Sequence, residues 1–261
     1  MRTSKLLQKI KAGEVVRICA LGHFIPSFIQ LAAHNQFDAV WIDCEHRDFS
    51  TRDIQSLMPL FHQADIDCVL RTPTLEKTRL CRYLEDGVTG LMIPHVSTPD
   101  KAQMLVQAVK FPPLGDRGLD GAGYDTGFTI QGGESYPEAA NRETFLIVQI
   151  ETLEAIKNVE AIASTEGVDG LFIGPGDLGL RMKSAGSSLT FDEARSSVAN
   201  ACKKHGKAWG LPAGNVESMA KFVSEGAQLI SFGSDFMAVN QMLQMSKQAF
   251  DDVTARTRQG G

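Results

Sequence analysis

The chain predicts an α/β fold: a (β/α)8 barrel of the TIM type, in one domain covering residues 1–261. Three observations point there. Short apolar runs without polar alternation recur along the chain, as strands buried on both faces require. Helical signals separate the runs. The 261 residues, 43% of them hydrophobic, match the usual size of one such barrel.

The strand-like runs are residues 15–21, 39–43, 68–71, 91–96, 145–150, 170–173, 208–212 and 229–233. After the second, Ser50-Thr-Arg-Asp53 reads as a capping box, followed by Ile54, Leu57 and Phe61 at helical spacing. After the fourth, Thr98-Pro99-Asp100 places a cap and then Pro at the first helical position. Residues 112–144 follow, a glycine-rich segment that reads as loop; a loop of that length is usually functional or mobile. Residues 180–189 read as a polar loop. Thr190-Phe-Asp-Glu193 is a second capping box, and its helix runs to Lys203-Lys-His-Gly206, basic in its last turn and stopped by Gly. Asn215 caps a helix ending near Gly226. A doubly wound open sheet is the rival fold, but no early Gly-x-Gly-x-x-Gly follows the first strand.

Composition narrows the function. The formal net charge is −5 and no Lys/Arg cluster marks a nucleic-acid or membrane partner. No apolar run approaches the ~20 residues of a transmembrane helix. The amphipathic start, Met1 to Ile10, lacks the apolar core of a signal peptide. The five cysteines, odd in number and without Cys-x-x-Cys spacing, read as reduced thiols of a cytoplasmic protein.

A barrel carries its chemistry at the carboxyl ends of its strands. There stand Asp43-Cys-Glu45-His46-Arg47 on strand two, Arg71 on strand three, Pro94-His95 on strand four, Glu151 on strand five and Gly174-Pro-Gly-Asp177 on strand six. Glu151 and Asp177 end consecutive strands, so they can hold one divalent cation; oxygen-only ligation suits Mg²⁺ or Mn²⁺. Helix N-capping is the plain alternative for both acids. Arg71 is the only cation in its strand, and its planar fork suits a substrate carboxylate; a structural salt bridge is the alternative. His46 follows two acids and is placed to act as general base, as is His95 with a weaker signal. No lysine falls at a strand's carboxyl end, so Schiff-base chemistry has no candidate. Gly233-Ser234 alone is a poor phosphate cradle.

With these residues in view, the chain resembles the metal-dependent class II pyruvate aldolases of the HpcH/HpaI family. The matching segments are Phe37-Asp-Ala-Val-Trp-Ile-Asp-Cys-Glu-His46, Leu70-Arg71, Leu84-Glu-Asp-Gly87, Gly90-Leu-Met-Ile-Pro94, Pro112-Pro-Leu-Gly-Asp-Arg-Gly118, Gln149-Ile-Glu-Thr152 and Gly167-Val-Asp-Gly-Leu-Phe-Ile-Gly-Pro-Gly-Asp-Leu178. The resemblance implies a barrel that swaps its eighth helix with a partner, in homohexamers built as trimers of dimers. It implies Glu151 and Asp177 as ligands of Mg²⁺, Mn²⁺ or Co²⁺, Arg71 at the pyruvate carboxylate or carbonyl, and His46 in an acid–base relay. Backbone amides near Gly176 and Asp177 would help hold the 2-oxo acid. Glu85 stands where the family usually has the relay's Asp, with Asp86 beside it; either is the expected partner of His46. After Arg117-Gly the loop departs from the simple aldolases, and it is expected to border the acceptor-aldehyde site. The implied reaction is reversible cleavage of a 4-hydroxy-2-oxo acid to pyruvate and an aldehyde through a metal-stabilised enolate. Oxaloacetate decarboxylation, a citrate-lyase type of CoA-thioester cleavage and a catalytically silent binding barrel are the alternatives.

Overall fold

The computed structural model describes residues 1–259, with side chains described through Ala255. Eight parallel strands close into a barrel in chain order: β1 (Val16–Leu21), β2 (Ala39–Asp43), β3 (Asp67–Arg71), β4 (Gly90–Ile93), β5 (Phe145–Ile150), β6 (Gly170–Ile173), β7 (Ala208–Pro212) and β8 (Leu229–Ser234). Val16 pairs with Leu229 to close the ring, so no strand edge is left open. β2, β5, β6 and β7 match the sequence prediction residue for residue. β4 is shorter than predicted. Pro94 cannot donate to the ladder, and His95 turns into the left-handed region at φ 54°.

Alternation along the strands divides the core in two. Val16, Ile18, Trp41, Val69, Met92, Phe145, Ile147 and Phe172 fill the barrel interior. The other face, including Ile42, Cys44, Leu70, Leu91, Leu146 and Leu171, packs under the surrounding helices. Gly90 and Gly210 are required for this closeness: a Cβ would lie 2.0 Å from the Phe145 ring and 1.8 Å from the Leu229 carbonyl oxygen, respectively. One mouth of the barrel is plugged. Leu6 and Leu7 of α1 (Lys5–Lys11) join the interior cluster. Buried Asp67, at the start of β3, holds that helix by accepting from Ser4 Oγ and the Leu6 N–H, each at 2.7 Å, and by pairing with Arg2. Only the carboxyl-terminal mouth stays open.

The crossovers hold α2 (Pro26–His34), α3 (Thr51–Gln63), α4 (Lys77–Glu85), α5 (Pro99–Val109), α6 (Tyr136–Glu143), α7 (Leu153–Lys157), α8 (Val159–Ala163), α9 (Pro175–Ser184), α10 (Phe191–His205) and α11 (Val216–Ser224). Ser50–Asp53 and Thr190–Glu193 form both bonds of a capping box, and α10 stops at Gly206 with φ 63°. Two expectations are corrected. Residues 180–189 are helical as far as Ser184; α9 buries only Leu178, so it shows no apolar period. Residues 112–144 lie at the amino-terminal rim, because α5 has run back along the barrel before they begin. They hold α6 and a 3₁₀ turn, Tyr124–Thr126, rather than plain loop. Asn141 latches the segment by accepting the Phe111 N–H (2.8 Å) and donating to the Phe111 carbonyl (2.9 Å). Within one chain this segment does not border the open mouth.

The last helix, α12 (Asp235–Gln259), leaves β8 and covers no barrel flank. From Phe236 to Ala255 its side chains are exposed, with Ser246 half-buried.

Candidate active site

Register builds the first half of the site. Asp43 and Arg71 are paired residues at the ends of β2 and β3. Arg71 therefore meets Asp43 in a two-pronged bond, Nε to Oδ1 at 2.9 Å and Nη2 to Oδ2 at 2.7 Å. Its Nη1 lies 3.1 Å from Glu45 Oε2, and the guanidinium sits 4.9 Å above the Trp41 ring. Burial alone would push the Asp43 carboxyl up. The Arg71 guanidinium and the N–H groups of Glu45 and His46 outweigh burial and hold it below the usual carboxylate range.

Glu45 is the bridge between the halves. Its Oε2 is 3.7 Å from His46 Nε2 and its Oε1 is 3.4 Å from His95 Nε2. His95 Nδ1 lies 3.1 Å from Glu151 Oε1, and the His95 N–H donates to the same oxygen at 2.6 Å. Lys101 donates to the His95 carbonyl at 2.7 Å. These three neighbours, with Arg181 Nη2 at 3.4 Å from His95 Nδ1, hold His95 in a backbone conformation that non-glycine residues rarely adopt.

Glu151, just past β5, is 2% exposed. Its carboxyl is pushed above the usual range by burial, with Glu45 and Asp177 adding to the effect. It rests against Gly174, where a Cβ would come within 2.3 Å of Oε2. Asp177 lies in the first turn of α9. Arg181, one turn on, donates to Asp177 Oδ1 at 2.7 Å and to the Glu151 carbonyl at 3.2 Å. The Gly176 and Asp177 N–H groups belong to that first turn, where helix geometry offers them no partner.

Within one chain Glu85 does not reach this assembly. It closes α4 at the amino-terminal rim, in a groove with Gln55, Arg82, Asp86 and Asp120. A helix that runs back along the barrel carries its last residue to the opposite end from His46. Asp86, the next residue, shares that location. The acids that the chain does place at His46 are Asp43, through the His46 N–H at 3.3 Å, and Glu45.

The family model of the HpcH/HpaI aldolase/citrate lyase group matches residues 21–241. The chain belongs to that family. It is thus a carbon–carbon lyase by kinship. It is 34% identical over 203 residues to the 5-keto-4-deoxy-D-glucarate aldolase of Escherichia coli, covering 76% of this chain and 78% of that one. It is 32% identical over 229 residues to the hydroxypyruvate/pyruvate aldolase of Paraburkholderia phytofirmans, with 85% and 86% covered. A solved HpcH/HpaI aldolase/citrate lyase family protein from Burkholderia cenocepacia superposes with a TM-score of 0.84 at 31% identity, covering 97% of this chain and all of that one.

The donor chemistry of this family member fits a divalent cation. A buried carboxylate whose charge is disfavoured sits in a cradle that any side chain at position 174 would fill, and a second carboxylate, Asp177, follows the next strand in the first turn of α9. Among the described residues, no three His, Cys, Asp or Glu side chains converge as a closed cage. A site for Mg²⁺ commonly uses only one or two carboxylates besides water and substrate oxygens.

Sequence reading did not single out Arg181 or Gln149. Arg181 had a signal, since it falls four residues after Asp177 on one helix face. Gln149 stands two residues before Glu151 and so points the same way; it is 1% exposed and its Oε1 has no hydrogen-bond partner. Among the described residues, no helix is long and apolar enough to cross a membrane.

Proposed function

We propose that the protein, as one aldolase domain over residues 1–261, is a metal-dependent class II pyruvate aldolase. It cleaves a 4-hydroxy-2-oxo acid reversibly to pyruvate and an aldehyde. The observation that carries this reading is Arg71, clamped by Asp43 and by Glu45, the acid that His95 links to the buried Glu151. A guanidinium has five N–H donors, and three nitrogens held by carboxylates leave one N–H on each Nη for substrate. Those donors are pre-oriented toward the charge that develops on the 2-oxo oxygen. The first-turn N–H groups at Gly176 and Asp177 suit the substrate carboxylate, as helix N-termini suit anions. His46, half-exposed beside Glu45, takes the proton from the 4-hydroxyl as the C3–C4 bond breaks. Glu151 and Asp177 would hold Mg²⁺, Mn²⁺ or Co²⁺, which when bound supplies Lewis-acid stabilisation of the 2-oxo oxygen.

The same reading extends to a homohexamer built as a trimer of dimers, supported by the exposed apolar length of α12. The five free cysteines support a cytoplasmic setting. The test is a pyruvate-release assay over a panel of 4-hydroxy-2-oxo acids and oxaloacetate, with and without EDTA. Release that stops in EDTA and returns with Mg²⁺ or Mn²⁺ is the expected result; full activity of metal-free protein would overturn the reading.

A further inference from the structure

The open mouth carries a second cluster, on β8, β1 and β2, across the barrel from Glu151 and Asp177. Gly22 and His23 follow β1, Asp235 opens α12 directly after β8, and Arg47 follows His46. Asp235 is 2% exposed and accepts the N–H groups of Gly22 and His23 at 3.0 Å each. His23 Nδ1 lies 2.7 Å from the same carboxylate. Asp235 thereby fixes the ring, and Nε2 is the nitrogen left for other partners on a side chain that is half exposed. The imidazole packs against Phe236 with centroids 4.1 Å apart and ring planes tilted by 47°, and the Arg47 guanidinium lies 4.8 Å from that same ring. Gly22 permits the crowding, since a Cβ there would come within 2.2 Å of Phe236 and 3.2 Å of Arg47 Nε.

Charge distinguishes Arg47 from the other guanidiniums of the mouth. Arg71 is tied to Asp43 and Glu45, and Arg181 to Asp177. Arg47 forms no ion pair among the described residues; its Nη1 donates to the His46 carbonyl at 3.0 Å. Its planar fork remains able to receive a carboxylate. The backbone N–H groups of Gly22 and His23, which would cradle a phosphate, are already bonded to Asp235, and that acid also opposes a dianion.

We propose that His23 and Arg47, both packed against the Phe236 ring, are specificity-determining residues that bind a carboxylate at the far end of the aldehyde fragment. Phe236 supplies the apolar platform for the carbons between. The assignment rests on the aldolase reading and deepens it, by making acidic aldehydes the preferred acceptors.

The experiment compares kcat/KM for addition of pyruvate to 4-oxobutanoate and to butanal, which differ by the distal carboxylate. The wild type should favour 4-oxobutanoate by at least about tenfold, the size of one charge-assisted hydrogen bond. Arg47→Gln and His23→Gln should each lower that ratio by about tenfold, and Arg47→Lys should keep part of it. A flat wild-type ratio, or variants that lose both rates while the ratio stands, would overturn the proposal. Metal-dependent exchange of the pyruvate methyl protons in D₂O, followed by NMR, separates the two layers. Exchange with a flat ratio removes only the distal assignment. No exchange and no cleavage remove the aldolase reading and this assignment with it.

Discussion

Arg71 is bound by three of its nitrogens before any substrate arrives. That arrangement makes Arg71→Lys a severe change. An ammonium is a point charge and cannot satisfy Asp43, Glu45 and a 2-oxo acid from one fixed plane. With charge-assisted bonds contributing about 1.5–3 kcal/mol, kcat/KM should fall at least about tenfold; kinetics equal to wild type would reduce Arg71 to a structural role. His46 is held far more loosely, 3.7 Å from Glu45 and half exposed, as a proton carrier that meets solvent would be. Positioned acid–base catalysis contributes about 10²–10⁴-fold, so His46→Ala should slow aldol cleavage by that order. Oxaloacetate decarboxylation has no hydroxyl to deprotonate and should fall much less. Equal losses in both reactions, together with a lower melting temperature, would take His46 out of the mechanism. Gly174 tests the metal ligands from the other side. Gly174→Ala forces a methyl to within 2.3 Å of Glu151 Oε2, and the Glu151 side chain must move. Mn²⁺ affinity by calorimetry should drop sharply, and affinity equal to wild type would show that Glu151 is not a ligand.

At the scale of elements, strands were the most legible part of the sequence. β2, β5, β6 and β7 are buried on both faces, so each reads as a largely apolar run, and its end is marked by Asp43 in β2, Glu151 after β5, Gly174 after β6 and Pro212 in β7. Helices with designed starts were legible too, because a capping box is a local signal. What failed were features set by partners far away in sequence. The end of β4 depends on His95 being held by Glu151 and Lys101. The fold of residues 112–144 depends on Phe111 meeting Asn141, and on Arg117, Asp125 and Tyr136 forming a buried cluster. Glycines dominate the local pattern and conceal both. The candidate site divides in the same way: its residues stand at strand ends that the sequence marks, whereas the Glu45 bridge exists only in three dimensions. Asn141 makes this testable. Asn141→Ala removes the partner of the Phe111 N–H, a group that needs one when part-buried, and one of three donors to the Phe111 carbonyl, which keeps the Leu114 and Gly115 N–H groups. The loss should lower stability by about 1–3 kcal/mol in urea melts while leaving pyruvate release nearly intact. A variant as stable as wild type would show that the latch is incidental.

At the scale of the whole molecule, α12 is the feature that one chain cannot account for. Its 25 residues extend roughly 38 Å at 1.5 Å per residue. Along that length Met237, Val239, Met242, Leu243, Met245, Phe250 and Val253 are more than half exposed, a larger apolar face than a monomer usually shows to water. The barrel has a matching deficit. Beside β8 and β1, where an eighth barrel helix would pack, α2 leaves Leu31 59% exposed and α11 leaves Val216 60% exposed. A helix without a flank and a flank without a helix, on the same chain, are complementary when two copies exchange the element, and such exchange closes as a symmetric pair. The protein should therefore sediment as a homo-oligomer at micromolar concentration. Met242→Glu with Leu243→Glu should place two charges in the exchanged contact and shift the distribution to smaller species, because a buried unpaired carboxylate is costly. The barrel of such a variant has lost no internal contact, so far-UV circular dichroism should still report a folded α/β chain. A wild type that sediments as a stable monomer under these conditions would refute the exchange, and α12 would then need a different partner.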